Sequence, residues 1–225
     1  MTEPNRYVDL THPWQDGMPV VAGDPRYQLS PVTTVAHNGY AVGRLNAGTH
    51  TGTHMDAPAH VIEGGRSVDK FSLAELAGRA RIFHVESRPN QMITADAVGQ
   101  QLIDFLSQPE PEPIVLFATG WDRHFTAQPQ RYAQHPYLSP ALATLLRDQG
   151  VRLLGMDTFS PDASGCDKLP VHQILLSADI PILENLRCLN QLPSSAYFAC
   201  YPLPLVGADA APVRAVATVA ETVDT

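Results

Sequence analysis

In the second half of the chain, apolar residues gather into short unbroken runs set between stretches of helical spacing. Ile114 to Ala118 is apolar throughout, the pattern of a strand covered on both faces, and Val151 to Met156 is a second apolar run. Thr94 can cap a helix in which Val98, Leu102, Phe105 and Leu106 recur at helical spacing until Pro109 and Pro111 end it. Ser139-Pro140 forms an N-cap and first-turn pair, Leu142, Leu145 and Leu146 make an apolar stripe, and Gly150 marks the stop. In the first half, Thr33 to His37 and Tyr40 to Leu45 flank Asn38-Gly39, which predicts a β-hairpin closed by a type I′ turn. Ser72-Leu-Ala-Glu75 fits a capping box, so a short helix with Leu73, Leu76 and Ala77 on one face is expected, ended by Gly78 and followed by a strand from Arg79 to Glu86. Alternation of strand and helix predicts an α/β protein, one domain over residues 1–225 with β-hairpins in its N-terminal part.

Composition narrows the function classes. With 15 Lys and Arg against 23 Asp and Glu the net charge is −8, and no basic cluster offers a footprint for phosphates, so no nucleic-acid partner is expected. No apolar run approaches the roughly 18–20 residues that span a bilayer, so no membrane partner is expected either. The opening MTEPNRYVDL lacks the features of a secretory signal, which points to the cytoplasm. Cys166, Cys188 and Cys200 form no C-x-x-C pair and read as reduced thiols.

The chemistry concentrates in His50-Thr-Gly-Thr-His54-Met-Asp56-Ala-Pro-Ala-His60, which holds three of the chain's nine histidines together with an aspartate. Imidazole and carboxylate are the donors of transition-metal sites. Gly52, the flanking threonines and Pro58 argue against a helix, and on a straight strand His50 and His54 would stand about 13 Å apart, too far to share an ion. A turn at Gly52 brings both rings to one point, with Asp56 arriving two residues later. Three protein ligands leave an open position, which suits a catalytic ion whose water is acidified towards neutral pH. His60 has two readings, a further ligand or a general base beside that water, and the second is preferred.

The segment His-x-Gly-Thr-His-x-Asp-Ala-Pro-x-His resembles the signature of the cyclase family of metal-dependent hydrolases, which includes bacterial kynurenine formamidase and isatin hydrolase. The likeness continues in Val8-Asp-Leu-Thr-His12, Gly17-Met-Pro-Val20, Gly23-Asp24-Pro25, Thr119-Gly-Trp121, His135-Pro-Tyr-Leu-Ser139 and Gly155-Met-Asp157-Thr-Phe-Ser160-Pro-Asp162. By that resemblance His50, His54 and Asp56 hold one ion, Asp56 bridges, and His172 with Glu184, in Ile-Leu-Glu184-Asn-Leu186, holds a second, while His60 is the acid/base. It also implies a swivelling β/β/α domain, a homodimer or homotetramer, and Asp157 and Ser160 close to the site.

The expected reaction is water attack on the carbonyl of an amide in a small-molecule substrate, either an N-formyl aryl amine such as N-formylkynurenine or a cyclic amide such as isatin. The cofactor is a divalent metal, Zn²⁺ or Mn²⁺, at one or two ions per chain. Alternatives on the same residues are a lactone or ester hydrolase, a cyclase, or a non-catalytic protein that binds metal or a small molecule. Where kynurenine formamidases usually carry Trp-Pro before Gly-Asp this chain has Val21-Ala22, which leaves two readings, a different acyl group or another residue, such as Phe159 or Trp121, as the aromatic wall. No Gly-x-Ser-x-Gly, H-E-x-x-H, P-loop or G-x-G-x-x-G is present.

Overall fold

A computed structural model describes residues 5–109 and 112–220 of the chain. Strand β1 (Asn5–Asp9) is followed by a hairpin of β2 (Gln28–Thr33) and β3 (Val42–Asn46) joined through the one-turn helix α1 (Val35–Asn38). The expected two-residue turn at Asn38-Gly39 is therefore replaced by a longer connection. Asn38 Oδ1 accepts the Thr34 N–H at 3.2 Å, favouring a helical turn, and Gly39, at φ 75°, supplies its left-handed C-cap. Side chains along β2 and β3 are almost all exposed, among them Leu29 at 63%, Leu45 at 55% and, in the connection, Tyr40 at 59%.

Strand β4 (His54–Asp56) precedes β5 (Ala77–His84). Between them the capping contacts form, Ser72 N–H and Oγ both donating to Glu75 Oε2 at 2.8 and 2.7 Å, but they close a single turn and no helix. Ladder pairing of β5 begins at Ala77, which takes Ala77 and Gly78 into the strand and leaves Leu73 exposed. Two-residue β6 (Met92–Ile93) leads into helices α2 (Ala95–Val98) and α3 (Gln100–Leu106). These two replace the single helix expected after Thr94. Gly99 breaks it at φ 57° and ψ −131°, yet Val98, Leu102 and Phe105 still share one buried face.

Strand β7 (Ile114–Ala118), helix α4 (Pro129–Tyr132), β8 (Tyr137–Leu138) and helix α5 (Pro140–Asp148) come next, and Ser139 Oγ accepts the Leu142 N–H as the N-cap of α5. The chain then runs through β9 (Leu153–Met156), α6 (Pro170–Leu176), β10 (Ile182–Glu184), β11 (Ser195–Pro202) and β12 (Ala210–Ala220).

Strands β5, β7, β9 and β10 are parallel, and each step between them needs a crossover, supplied by α2 with α3, by α5 and by α6. Both faces of these strands are consequently covered. Ile114, Leu116 and Ala118 join Ile82, Leu183 and Phe198 in one core, while Val115 and Phe117 join Phe105, Leu142 and Leu175 in the other. The sheet closes on itself because β12 pairs with β11 on one side and with β4 on the other, giving a seven-strand barrel-like ring of mixed α/β architecture to which β1 is appended. Closure leaves β4 between β10 and β12 and brings distant parts of the chain together, so that Glu184 on β10 lies opposite His54, and Ala210 on β12 lies opposite Asp56. Among the described residues no helix is long and apolar enough to cross a membrane.

Candidate metal centre

The chain reverses at Gly52, whose φ of 64° lies in the left-handed region. A Cβ at this position would stand 2.8 Å from Met18 Cε and 2.9 Å from Trp14 Nε1. After the reversal, the alternation of strand β4 puts His54 and Asp56 on one face and sends Met55 into the barrel core. His50 thereby returns to its neighbours, with Nδ1 at 2.8 Å from Asp56 Oδ1 and 3.2 Å from His54 Nε2.

From the neighbouring strand β10, Glu184 places Oε2 at 3.4 Å from His54 Nε2. His172, on the first turn of α6, has Nε2 at 3.4 Å from Asp56 Oδ2 and 3.3 Å from Glu184 Oε1. The two Asp56 oxygens therefore face two triads, His50-His54-Asp56 and Asp56-His172-Glu184, whose donor atoms in each lie within 4.8 Å of one another.

Each of the three rings is anchored through its other nitrogen. His54 Nδ1 donates to Gly52 O at 2.8 Å, His172 Nδ1 to Asp162 Oδ2 at 2.7 Å, and His50 Nε2 to Asp209 Oδ2 at 2.9 Å. Asp162 is in turn held by the Val171 and His172 N–H groups at 2.8 and 3.0 Å. With those protons spent, the nitrogens turned towards Asp56 and Glu184 present lone pairs. Both Asp56 oxygens are buried with no hydrogen-bond partner. Lone pairs at such separations repel unless positive charge sits among them, and imidazole with carboxylate is a donor set suited to a divalent transition metal. The residues fit such an ion.

Without a cation among them, protons supply that positive charge, and the titration behaviour shows how strongly the cluster demands it. Burial opposes charge on His50, but Asp56 and Asp209 outweigh it and raise its pKa to about 10. His54 and His172 are raised likewise against burial, and Asp56, despite its own burial, is held well below the usual carboxylate range by the histidines around it.

His60 ends the short turn Pro58–His60, with its ring centroid 4.3 Å from that of His50 and 5.7 Å from that of His172. Burial, reinforced by the neighbouring His50 and His172, lowers its pKa, although Asp56 pulls the other way. It lines a cavity of about 550 Å³ together with the two triads. Val21, Pro25, Phe159 and Leu169 form apolar parts of that wall, and the volume suits a small organic molecule. Of the two aromatic candidates only Phe159 lines the cavity. Trp121 is fully buried elsewhere, its Nε1 donating to Tyr132 O at 3.0 Å. Ser160 also lines the cavity, whereas Asp157 is a buried anchor that accepts the N–H groups of Thr119 and Gly120 and the Thr119 hydroxyl. Its burial pushes the carboxyl pKa up to about 7 against those hydrogen bonds.

All six residues expected from the sequence thus surround one cavity. Asp162 and Asp209 were not assigned from sequence. Asp162 falls inside a segment that resembles the family, but Asp209 is a single acid ahead of a strand, and only the seam pairing shows where it goes.

A family model described as a putative cyclase matches residues 8–163. The kynurenine formamidase of Geobacillus thermodenitrificans (strain NG80-2) is 32% identical over 212 residues, covering 94% of this chain and 96% of that protein. The kynurenine formamidase of Salinibacter ruber (strain DSM 13855 / M31) is 34% identical over 175 residues, 78% of each. Among solved structures, isatin hydrolase A from Labrenzia aggregata, bound to benzyl benzoate, superposes with a TM-score of 0.83 at 25% identity, covering 96% of this chain and 94% of that one. With the family model spanning most of its length and relatives above 30% identity beside it, the chain belongs to the cyclase family.

Proposed function

We propose that this protein is a metal-dependent hydrolase of a non-peptide amide, with His50, His54, Asp56, His172 and Glu184 as the metal ligands and His60 as the acid/base. One observation carries the reading: the buried Asp56 carboxylate, bare of hydrogen-bond partners, lies between two histidine-containing triads on a cavity of substrate size. A divalent cation bound there lowers the pKa of water towards neutrality and polarises a carbonyl oxygen. The donor set accommodates Zn²⁺ or Mn²⁺, and the two-sided use of Asp56 favours two ions over one.

The residues of the chain do the rest. Phe159, Val21 and Leu169 give an apolar wall to the organic part of the substrate. His60, kept neutral by burial, takes a proton from the attacking water as the new C–O bond forms at the carbonyl carbon, and returns it to the departing nitrogen as the C–N bond breaks. The products are a carboxylic acid and an amine. Aryl formamides and isatin-like cyclic amides are the substrate classes that the formamidase and isatin hydrolase relatives bring forward.

The fold is read as a swivelling β/β/α domain over residues 1–225 that works in the cytoplasm, where its three free cysteines stay reduced. A homodimer or homotetramer is proposed, with the β2–β3 hairpin covered by a second copy of the chain. Two exposed strands are marginally stable alone, and this pair displays Leu29, Val32, Val42 and Leu45 to solvent.

The test is the ultraviolet absorbance change on offering N-formyl-L-kynurenine, and separately isatin, to metal-replete and chelator-treated enzyme. Turnover of either that stops on chelation and returns with metal is the expected result, and the His60→Ala variant keeps its metal while losing about 10²–10⁴-fold in kcat. Turnover that survives both chelation and His60→Ala would overturn the assignment.

A further inference from the structure

Asp209 stands at the closing seam of the barrel, immediately before the residue that pairs with Asp56, and its carbonyl accepts the Ala57 N–H at 2.8 Å. The β12–β4 pairing, extended by that bond, thus fixes its Cα beside the histidine segment. Its Oδ2 accepts the Nε2–H of His50 at 2.9 Å and lies 3.5 Å from Nδ1 of His60. One carboxylate oxygen spans both rings because their centroids are 4.3 Å apart.

We propose that Asp209 is a positioning residue that fixes the proton-bearing nitrogen and the orientation of two imidazoles at once, the metal-facing His50 and the proton-transferring His60. The His60 half rests on the hydrolytic function proposed for the site. A proton held on His50 Nε2 leaves Nδ1, the nitrogen 2.8 Å from Asp56, as a lone-pair donor. A proton held on His60 Nδ1 leaves Nε2 as the base. The 3.5 Å separation is at the outer edge of hydrogen-bond reach, as catalytic contacts commonly are before substrate arrives. His54 and His172 have private anchors in Gly52 O and Asp162, so among the described residues it is Asp209 that joins a ligand ring to the acid/base ring. Losing it disturbs both at once. Partners of this kind typically change metal affinity or activity by about 10–100-fold.

The experiment compares wild type with Asp209→Ala, Asp209→Asn and Asp209→Glu, all loaded with Zn²⁺. Imidazole ¹⁵N–¹H spectra of the wild type should place the proton of His60 on Nδ1 and that of His50 on Nε2. In Asp209→Ala the His60 proton should move to Nε2, and competition with a chromophoric chelator should show Zn²⁺ binding weakened by about 10–100-fold. At saturating Zn²⁺, kcat for the amide should fall by a similar factor with KM within about threefold, and Asp209→Glu should recover part of each loss. The neutral Asp209→Asn serves the same comparison if the alanine chain does not fold. A His60 proton that stays on Nδ1 together with wild-type Zn²⁺ affinity would overturn the proposal. A wild type that turns over no amide defeats the hydrolytic reading instead, and the tautomer and Zn²⁺ measurements still decide the part played by Asp209.

Discussion

Histidines in this chain do different work according to what faces each nitrogen. His50, His54 and His172 each spend one nitrogen on an anchor and turn the other towards the Asp56 carboxylate. His12 is buried for packing. Its ring stacks on Phe125 at 3.8 Å between centroids, and its Nε2 has no hydrogen-bond partner. Burial, with the Arg187 charge nearby, lowers its pKa to about 4 from an unfolded value of 6.5. A histidine with a depressed folded pKa stabilises the fold fully above pH 6.5, and that contribution is lost as pH falls from 6.5 towards 4. At about 1.4 kcal/mol per pK unit the loss is on the order of 3 kcal/mol. Denaturant unfolding at pH 7 and pH 5 should show a stability drop in wild type that is smaller in His12→Asn. Equal drops in the two chains would contradict this reading of His12.

At the scale of elements, the site depends on one turn and one seam. Gly52 sits at φ 64° with Met18 and Trp14 packed where a Cβ would go, so Gly52→Ala strains the backbone by about 1–2 kcal/mol and pushes against both side chains. Misplacing His50 and His54 should weaken metal binding at least tenfold while the far-ultraviolet circular dichroism stays that of the wild type; unchanged affinity would mean the turn does not set the site.

Elements differed in how well the sequence announced them, for physical reasons. Ile114–Ala118 was legible as a strand because a parallel strand covered on both faces is apolar at every position. The Ser139-Pro140 helix start was legible because its cap is local. Helix after Ser72 was not formed, since the ladder of β5 with β11 claims Ala77 and Gly78. Gly99 divides a helix whose apolar spacing gave no warning of it.

For the molecule as a whole, the ligand-rich segment could be read because three histidines and an aspartate crowd into one short window. His172 and Glu184 came through family likeness, lying on separate elements brought in by crossover α6 and strand β10. Closure of the ring by β12 against β4 is a long-range pairing with no local signature, and Asp209 was hidden with it. The exposed β2–β3 hairpin is likewise visible only in three dimensions. Replacing Leu29 and Leu45 together with Ser should shift the mass measured by light scattering from oligomer to monomer; a wild type that is already monomeric would rule out the second copy.

The central claim is that the side chains around Asp56 hold a divalent metal used for amide hydrolysis. The direct measurement is the metal content per chain, by elemental mass spectrometry after dialysis against Zn²⁺ or Mn²⁺, for wild type and Asp56→Asn, with amide turnover read on the same samples. The account predicts one or two ions per wild-type chain, loss of bound metal and turnover in Asp56→Asn, and a retained fold in both. Equal metal content in the two chains, or a wild type that binds none, would contradict it.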